Sequence, residues 1–356
     1  MTLNTITWII AAFFLIGGLF LIIKHFAQKQ KEESLSYTFI TIGLELITTS
    51  FGTFDDKVFA FLTNTQVNTN YVQMVVGGIL SILGVFLLLY IKSRIYVINI
   101  NGYSDYRIEK HYKDLNLSAF EFKEREIDFI RPYRKGMDST VADEIQDIIT
   151  EKMATFKAES SDKSRAYTGI APIPFIFVAG KLLGKEKIER YFEYDKFKQS
   201  YYPLTICKKK RKPYTSLELT PPLNQVVPLT AYEVVLAVSI TQQITNGNLS
   251  QFTCPIIHLA ITHPTDNTIK YTDQLESYTH TIYQLLIDGL PKRFSNLTKI
   301  HLVYAGQSCL AFEVGKLLDD HRMVEVISYQ FTAQSTPKYP WGIVLNGNRK
   351  GTYIES

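Results

Sequence analysis

Two loops combine small residues with hydrogen-bonding side chains, and each leads directly from a predicted strand into a predicted helix. Backbone N–H groups at the start of a helix are free, and together with the helix dipole they suit a phosphate group. Ligands of open α/β sheets also bind outside the carboxyl ends of the strands. The loops therefore predict a site for a phosphorylated ligand, although ordinary strand-to-helix turns are the alternative. The candidate residues are Thr168 and Gly169 in the first loop and Tyr304, Gly306, Gln307 and Ser308 in the second.

Four further side chains could contact a ligand near these loops. Tyr339 and Trp341 offer flat rings on which a base could stack, a contact worth about 1–3 kcal/mol per base. The alternative for both rings is packing in the core. Lys196 and Lys198 follow a predicted strand and could reach a phosphate, or they could simply be solvated.

The chain lacks the patterns typical of catalytic and metal centres. None of its seven histidines belongs to an HExxH motif, and no Gly-x-Ser-x-Gly sequence occurs. Cys207, Cys254 and Cys309 lie far apart without CxxC spacing, which argues against a disulfide framework and a cysteine zinc site. Such sparse cysteines indicate a reducing compartment. We therefore predict a protein that is not an enzyme, holds no metal or cofactor, and has its large domain in the cytoplasm.

Composition narrows the remaining classes. Of the 356 residues, 46% are hydrophobic, which lies in the globular range and excludes wholesale disorder. A net charge of +4 is too weak to indicate nucleic-acid binding, so we expect no direct contact with DNA or RNA. The length allows about two domains.

Two apolar runs near the N-terminus predict membrane spans. Residues 6–23 and residues 72–91 are each long enough to cross about 30 Å of hydrocarbon as a helix. Small residues within the runs would let helices pack closely in lipid. These are Gly17 and Gly18 in the first run and Gly77 and Gly78 in the second.

A third segment, residues 37–54, leaves the number of crossings open. It is apolar and threonine-rich but carries Glu45 near its middle, and a mid-membrane acid costs about 2.5–3.5 kcal/mol. Hydropathy therefore favours two crossings, whereas the positive-inside rule favours three, because the lysines of residues 24–31 would then be cytoplasmic. Glu45 belongs either to an interfacial helix or to a pore-facing surface. Both topologies predict a multi-pass protein of the inner membrane with a cytoplasmic C-terminal domain.

Downstream of the membrane domain, residues 1–94, predicted strands and helices alternate and indicate an α/β fold. Residues 95–125 are interpreted as a connector that begins with a predicted strand at residues 95–100, and the folded domain is expected over residues 126–356. Within it the predicted strands are 126–131, 166–171, 188–194, 232–241, 256–262, 299–304 and 324–329, and the predicted helices are 142–156, 174–183, 273–290 and 308–318.

An internal repeat suggests that this domain is duplicated. The sequence Gly-Lys-Leu-Leu occurs at residues 180–183 and again at residues 315–318, an offset of 135. At the same offset a phenylalanine precedes each copy and a strand ending in tyrosine follows it. We expect two tandem Rossmann-like units, about 126–220 and about 230–350, related by a pseudo-twofold axis.

The residues of both copies resemble a known family. The stretch IHLVYAGQSCLAFEVGKLLDDHRMVEVISYQF, with the Tyr-Pro-Trp sequence after it, resembles the SAVED domain, and YTGIAPIPFIFVAGKLLGKEKIERYFEYD resembles its first half. SAVED domains are sensors of CBASS antiphage effectors and consist of two fused CARF-like units. With helices before the domain, the chain resembles the transmembrane-SAVED type.

The resemblance implies a function. The cytoplasmic domain would bind a cyclic tri- or tetranucleotide made by a partner nucleotidyltransferase, and binding would drive homo-oligomerisation. The membrane helices would then disrupt the bilayer or form a pore, which causes abortive infection. Cleavage of the ligand by the sensor stays possible. The alternatives are a membrane-anchored enzyme that processes nucleotides and an anchored interaction domain without a nucleotide ligand.

Overall fold

The structure, a computed structural model, describes residues 16–24, 31–52, 60, 62–63, 69–118, 121–208 and 213–356. The chain forms two compact units, Met1–Arg94 and Ile95–Ser356. The predicted membrane segments fall in the first unit and the predicted α/β domain falls in the second.

Two antiparallel helices account for most of the described N-terminal unit. Helix α1 spans Lys31–Thr49 and helix α2 spans Tyr71–Lys92, and residues 16–24 are also helical. The side chain of Asn70 caps α2 by accepting a hydrogen bond from the N–H of Gln73. Among the described residues, α2 is the one helix that is long and apolar enough to cross a membrane.

Glycines allow the backbones of α1 and α2 to approach closely. A Cβ atom on Gly77 would lie 2.6 Å from the carbonyl oxygen of Gly43. One on Gly84 would lie 2.8 Å from the backbone nitrogen of Ile40. Both distances are too short for a methyl group, so these positions accept only a residue without a side chain.

The structure separates the four glycines that the sequence grouped together. Gly77 lies in the contact between α1 and α2, and Gly18 packs against Thr41 of α1. Gly17 and Gly78 instead have no described atom within 4 Å of the position that an added methyl group would occupy. The predicted span over residues 6–23 lies outside the described residues for its first ten positions.

Glu45 lies on α1 and is half-buried. Within the part of the chain that the structure describes, its Oε2 atom is shielded from solvent and has no hydrogen-bond partner. An acid in such a position in a membrane helix needs a compensating partner or water. Whether residues 37–54 cross the membrane stays a prediction.

The second unit contains two sheets, which confirms the mixed α/β fold. The first sheet has the order β2-β1-β3-β4-β5, with β5 antiparallel to β4 and the other pairs parallel. Its strands are β1 Ile95–Asn101, β2 Phe122–Asp128, β3 Ser164–Ile170, β4 Arg190–Asp195 and β5 Ser200–Pro203. Its helices are α3 Ile130–Arg134, α4 Ser139–Glu159 and α5 Ile173–Leu183.

The second sheet has the order β12-β11-β10-β9-β7-β8-β6 and is parallel from β8 to β10. Its strands are β6 Glu218–Thr220, β7 Glu233–Ser239, β8 Ile256–Ala260, β9 Lys299–Ala305, β10 Glu325–Gln330, β11 Trp341–Val344 and β12 Tyr353–Glu355. Its helices are α6 Thr272–Gln284, α7 Leu290–Arg293 and α8 Ser308–Lys316, and one π-helical turn, Leu285–Gly289, joins α6 to α7.

The central strands are apolar because both faces of each sheet are covered. β1 is buried at all seven positions, and β7 is buried at all but its first. Such near-continuous apolar runs are typical of parallel strands between two layers. On α4, the buried apolar residues recur at helical spacing and define the face that packs on the first sheet; they are Val141, Ala142, Ile145, Ile149, Met153 and Phe156.

The two sheets repeat the same topology. Five strands in the order β2-β1-β3-β4-β5 correspond to β8-β7-β9-β10-β11. The Gly-Lys-Leu-Leu sequence lies at the end of the helix after the third strand of each set: it forms the last four residues of α5, and it begins with the last two residues of α8. The duplicated architecture expected from the sequence is therefore visible in the strand order.

The repeated glycines explain why this sequence occurs twice. A methyl group on Gly180 of α5 would collide with the carbonyl oxygen of Phe312, and one on Gly315 of α8 would collide with the carbonyl oxygen of Phe177. The four residues are equivalent pairs at the offset of 135. The reciprocal contact is the one that a pseudo-twofold axis between α5 and α8 produces.

The structure corrects the predicted connector, residues 95–125. Its first seven residues are β1, which lies between β2 and β3. The following segment covers one face of the sheet, where Ile108 and Leu115 pack against Val97. The half of the α/β unit that contains the first sheet therefore starts at residue 95 rather than 126, and β6, whose residues lie near the end of the predicted first half (about 126–220), belongs to the second sheet.

Candidate functional site

A cavity of about 230 Å³ lies at the carboxyl ends of the second sheet. We call it the edge pocket. The ends of β7, β9 and β10 line it, together with the start of α5. α5 belongs to the half of the α/β unit that contains the first sheet, which we call the first half; the half that contains the second sheet is the second half. Its lining residues are Ile173, Thr241, Gln242, Gln243, Ile244, Asn248, Tyr304, Ala305, Gly306, Tyr329, Gln330, Phe331 and Tyr339.

The loop after β9 is held in shape by its own side chains. The hydroxyl of Tyr304 donates to the carbonyl oxygen of Gln307 at 2.7 Å. The amide of Gln307 in turn donates to the carbonyl oxygen of Ile269 and to the hydroxyl of Tyr202, both at 3.0 Å. Its Oε1 accepts from the N–H of Ile269 at 2.5 Å. Gln307 was expected to contact the ligand, but it is buried and tethers this loop to its neighbours.

The start of α8 is occupied by an acid of the first half. Oε1 of Glu193 on β4 accepts from the N–H of Cys309 at 3.0 Å and from the hydroxyl of Ser308 at 3.4 Å. Burial raises the pKa of Glu193 above its ordinary value, although these hydrogen bonds oppose the shift. The sequence predicted free N–H groups for a phosphate here. The structure corrects this prediction, because a carboxyl group from the opposite half already caps the helix.

The start of α5 is capped in the same manner from the other side. The N–H of Ile173 donates to Oε1 of Gln330 at 3.1 Å, and Gln330 lies at the end of β10. Each half thus caps the helix of the other half with one side chain. The two contacts fix the relative position of the loops that flank the edge pocket.

The first predicted loop contributes little to the site. Thr168 is 1% exposed, and Gly169 is also buried within β3. A methyl group on Gly169 would lie 2.6 Å from the hydroxyl of Tyr167, so the glycine accommodates a neighbouring ring. Neither residue lines the edge pocket, and their role in ligand binding stays a prediction.

Tyr339 and Trp341 are both core residues. Trp341 is 5% exposed and packs among Phe175, Tyr353 and Tyr133. Tyr339 is 2% exposed, although its ring forms part of the pocket wall. Of the two expectations held for these rings, core packing is the one that the structure supports.

Lys196 and Lys198 follow β4 and are exposed. The ammonium group of Lys196 lies 3.0 Å from Asp266, and that of Lys198 lies 4.0 Å from Asp195. Neither lysine lines the edge pocket. They place positive charge at the carboxyl end of the first sheet, where exposed ion pairs of this kind are weak and readily exchanged.

A series of hydrogen-bonded side chains supports the pocket wall on the side away from the cavity. The hydroxyl of Tyr329 lies 2.8 Å from Nδ1 of His301, and Nε2 of His301 lies 3.0 Å from Glu233. Burial lowers the pKa of His301 below its ordinary value, so the ring is neutral at pH 7. These bonds hold the tyrosine ring in one orientation.

Sequence reasoning named only Tyr304, Gly306 and Tyr339 among the residues that line the pocket, and Gln242 and Phe331 are two of those that it missed. Phe331 directly follows β10, and Gln242 lies three residues after the end of β7. Both are exposed, and both lie beyond the carboxyl end of a parallel strand, which is the position that marks ligand contacts in α/β sheets. Considering the position beyond every parallel strand, rather than only the loops that contain Gly169 and Gly306, would have found them.

Across the described residues, no group of three or more His, Cys, Asp or Glu side chains could hold a metal ion.

Comparison with known proteins identifies the second unit. A family model described as SAVED, the "SMODS-associated and fused to various effectors sensor domain", matches residues 144–345, which is more than half of the chain. The match includes parts of both sheets and every strand and loop of the edge pocket. No curated protein matches the sequence.

Solved structures of SAVED/CARF-domain receptors are similar to the chain. A Cap4 receptor of Acinetobacter baumannii with the cyclic trinucleotide 2'3'3'-cAAA is 14% identical, with a TM-score of 0.47 over 92% of this chain and 66% of that one. The same receptor with 3'3'3'-cAAA is 14% identical, with a TM-score of 0.47 over 91% and 64%. A Cap4 receptor of Moraxella osloensis is 13% identical, with a TM-score of 0.43 over 83% and 61%.

The chain spans just under two thirds of the length of the A. baumannii receptor in its two structures with cyclic trinucleotides. The TM-scores of these matches all lie below 0.5. The family model covers more than half of the chain, so the chain belongs to the SAVED family of sensor domains.

Proposed function

We propose that the chain is a membrane-embedded effector of CBASS antiphage defence whose second unit senses a cyclic tri- or tetranucleotide made by a partner nucleotidyltransferase. The observation that carries the proposal is the SAVED family match across both halves of the α/β unit. Two solved structures of the A. baumannii SAVED/CARF-domain receptor are structures with cyclic trinucleotides. The proposal assigns the chain no catalytic step.

The edge pocket supports this proposal by its position and size. It lies outside the carboxyl ends of parallel strands, where α/β sheets bind ligands. Its volume of about 230 Å³ is below the range of about 300–1,000 Å³ that holds a whole drug-sized ligand. It suits one part of a larger ring, and the remainder of the ring would lie outside it.

The output of the proposed sensor is a change in the membrane. The apolar outer face of α2 is exposed in the described unit and suits lipid. We propose that the chain is a multi-pass protein of the inner membrane with its α/β unit in the cytoplasm. Ligand binding would favour a homo-oligomer, because a ligand shifts an equilibrium only through different affinities for the two states. The clustered helices would then open a pore or disrupt the bilayer and abort the infection.

Thermal unfolding of the full-length chain in nanodiscs tests the sensor. We would add cyclic di-, tri- and tetranucleotides one at a time, with linear oligonucleotides as controls. A ring at 100 times its dissociation constant should stabilise the protein by about 2.7 kcal/mol. If every ring leaves the unfolding temperature unchanged, the sensor proposal is wrong.

Dye release from lipid vesicles that contain the full-length chain tests the membrane output separately. The stabilising ring should trigger release, and a ring that does not bind should not. Binding without release would remove the pore from the proposal and leave the sensor in place.

A further inference from the structure

The edge pocket is uncharged. Among the described residues that line it, there is no Lys, Arg, His, Asp or Glu. Phosphate groups are held in proteins mainly by positive charge and by charge-assisted hydrogen bonds. The lining instead consists of aromatic rings, amides, a threonine and small residues. Such a surface fits an uncharged, flat group with polar edges.

Four amide side chains line the pocket, and they differ in what they already bind. Gln330 caps α5 and donates to the carbonyl oxygen of Phe331 at 2.9 Å. Asn248 accepts from the N–H and the hydroxyl of Thr245 at 3.1 and 2.8 Å. Gln243 donates to the carbonyl oxygen of Ile244 at 3.4 Å. These three are partly or wholly committed to the protein.

Gln242 is the amide that remains available. It is exposed, and within the described part of the chain it forms no hydrogen bond. Its carbonyl oxygen can accept while its amino group donates, both in one plane. This pattern matches the donor and the acceptor that adenine presents at N6 and N7. Guanine presents two acceptors at the same edge and is usually read by Arg or Lys, neither of which lines the pocket.

Phe331 is the accessible ring of the pocket. Its side chain is 37% exposed, whereas the neighbouring Tyr339, whose ring centroid lies 5.5 Å away, is buried. The hydroxyls of Tyr304 and Tyr329 are engaged in the hydrogen bonds given above. An exposed phenylalanine and a free amide that line the same pocket offer both contacts that a nucleobase uses, stacking on its face and hydrogen bonds at its edge.

We propose that the edge pocket is a nucleobase subsite in which Phe331 stacks on the base and Gln242 reads its edge, so that adenine is preferred to guanine. The proposal rests on the proposed function, since it assigns one base of the sensed ring to this pocket. It also places the phosphates of the ring outside the pocket. The specificity of the sensor is then set by the loop after β7 rather than by the loop after β9.

Equilibrium binding to the full-length chain in nanodiscs tests the subsite, with 3'3'3'-cAAA and 3'3'3'-cGGG as probes. We expect the adenine ring to bind about 5- to 150-fold more tightly, the size of one bidentate pair. Gln242→Ala should bring the ratio close to one. Gln242→Glu, which presents only acceptors, should weaken the binding of the adenine ring further. Gln225→Ala is the matched control, because Gln225 is an exposed amide before β7, at the opposite end of the strand.

Separate variants test the stacking role of Phe331. Phe331→Ala should weaken the binding of both rings alike, by about 5- to 150-fold, and Phe331→Trp should retain binding. Equal affinity of the wild-type chain for the two rings, or an adenine preference that Gln242→Ala leaves unchanged, would overturn the subsite while the sensor function stands. Failure to bind any cyclic di-, tri- or tetranucleotide would overturn both.

Discussion

Alanine at Gly180 or Gly315 is expected to push the two halves of the sensor apart. In the present packing, a methyl group at position 180 would stand 3.0 Å from the carbonyl carbon of Phe312, and one at position 315 would stand 3.0 Å from the Cα of Phe177. The carbonyl oxygens are nearer still. The obstructing atoms belong to backbone, so a side-chain rotation cannot relieve the collision.

The size of the effect follows from these distances. Carbon atoms pack best at about 3.5–4.0 Å, and the carbonyl oxygens lie nearer than the carbons, so α5 and α8 would have to separate by about 1 Å or more. Overpacking of this kind costs about 1–3 kcal/mol, while alanine returns up to about 1 kcal/mol through its helix propensity. We expect each substitution to lower the free energy of unfolding by about 1–2 kcal/mol. The double variant should lose less than the sum, because one separation accommodates both methyl groups.

Urea titration of the full-length chain, followed by circular dichroism, measures these losses. Gly247→Ala is the control, because a methyl group there would meet only the hydroxyl of Thr245 at 3.7 Å. A stability for Gly180→Ala equal to or above that of the control would refute the close contact between the helices. Strictly additive losses in the double variant would refute the single shared separation.

Three further outcomes are expected. Gly77→Leu should weaken the packing of α1 on α2, whereas Gly78→Leu, with no described atom near its added group, should not; cysteine cross-linking between the helices compares them. Because burial raises the pKa of Glu193, the stability that this group contributes is fully present below its ordinary pKa of 4.5 and is lost as pH rises through the raised pKa. Glu193→Gln should therefore flatten the decline in stability that urea titrations measure as pH rises above 4.5. Burial would raise the pKa of Asp320, but hydrogen bonds, first that from Lys181, outweigh it and lower the pKa to about 2. This stabilisation is lost as pH falls from 3.8 towards 2, and Asp320→Asn should cost about 1–2 kcal/mol at pH 7 by thermal unfolding.

The duplication was accessible from the sequence because it left matching residues at a constant offset. Gly180 and Gly315 repeat since each must accommodate the backbone of the other copy. The alternation of strands and helices was also predictable, because buried parallel strands and amphipathic helices have different periods. The alternation depends on the local pattern of residues, and the repeated glycines depend on one contact that each half makes with the other.

The first strand was harder to place. Ile95–Asn101 reads as a strand, but local pattern does not say which strands it pairs with. Asn99 and Asn101 make its end look like a loop. In the structure both are buried, and their amides donate to Glu124 and Glu126 of β2. Such pairs across strands are invisible until the register is known.

The roles of the candidate ligand residues depended on burial by distant segments. Gln307 and Ser308 have the right chemistry for a ligand, but partners at residues 193, 202 and 269 already satisfy them. Trp341 is covered by Phe175 and Tyr353. Gln242 and Phe331 were missed because the position beyond a parallel strand was considered only for the two loops that contain Gly169 and Gly306.

Hydrogen–deuterium exchange of the full-length chain in nanodiscs, with and without 3'3'3'-cAAA, tests the central claim most directly. If the chain senses a cyclic oligonucleotide at the edge pocket, the ring should slow exchange at residues 241–248, 304–306 and 329–331, the loops that line it. Backbone amides on the far edges of the sheets should be unaffected. Unchanged exchange at all three loops with every cyclic di-, tri- and tetranucleotide, in a folded protein, would contradict the account.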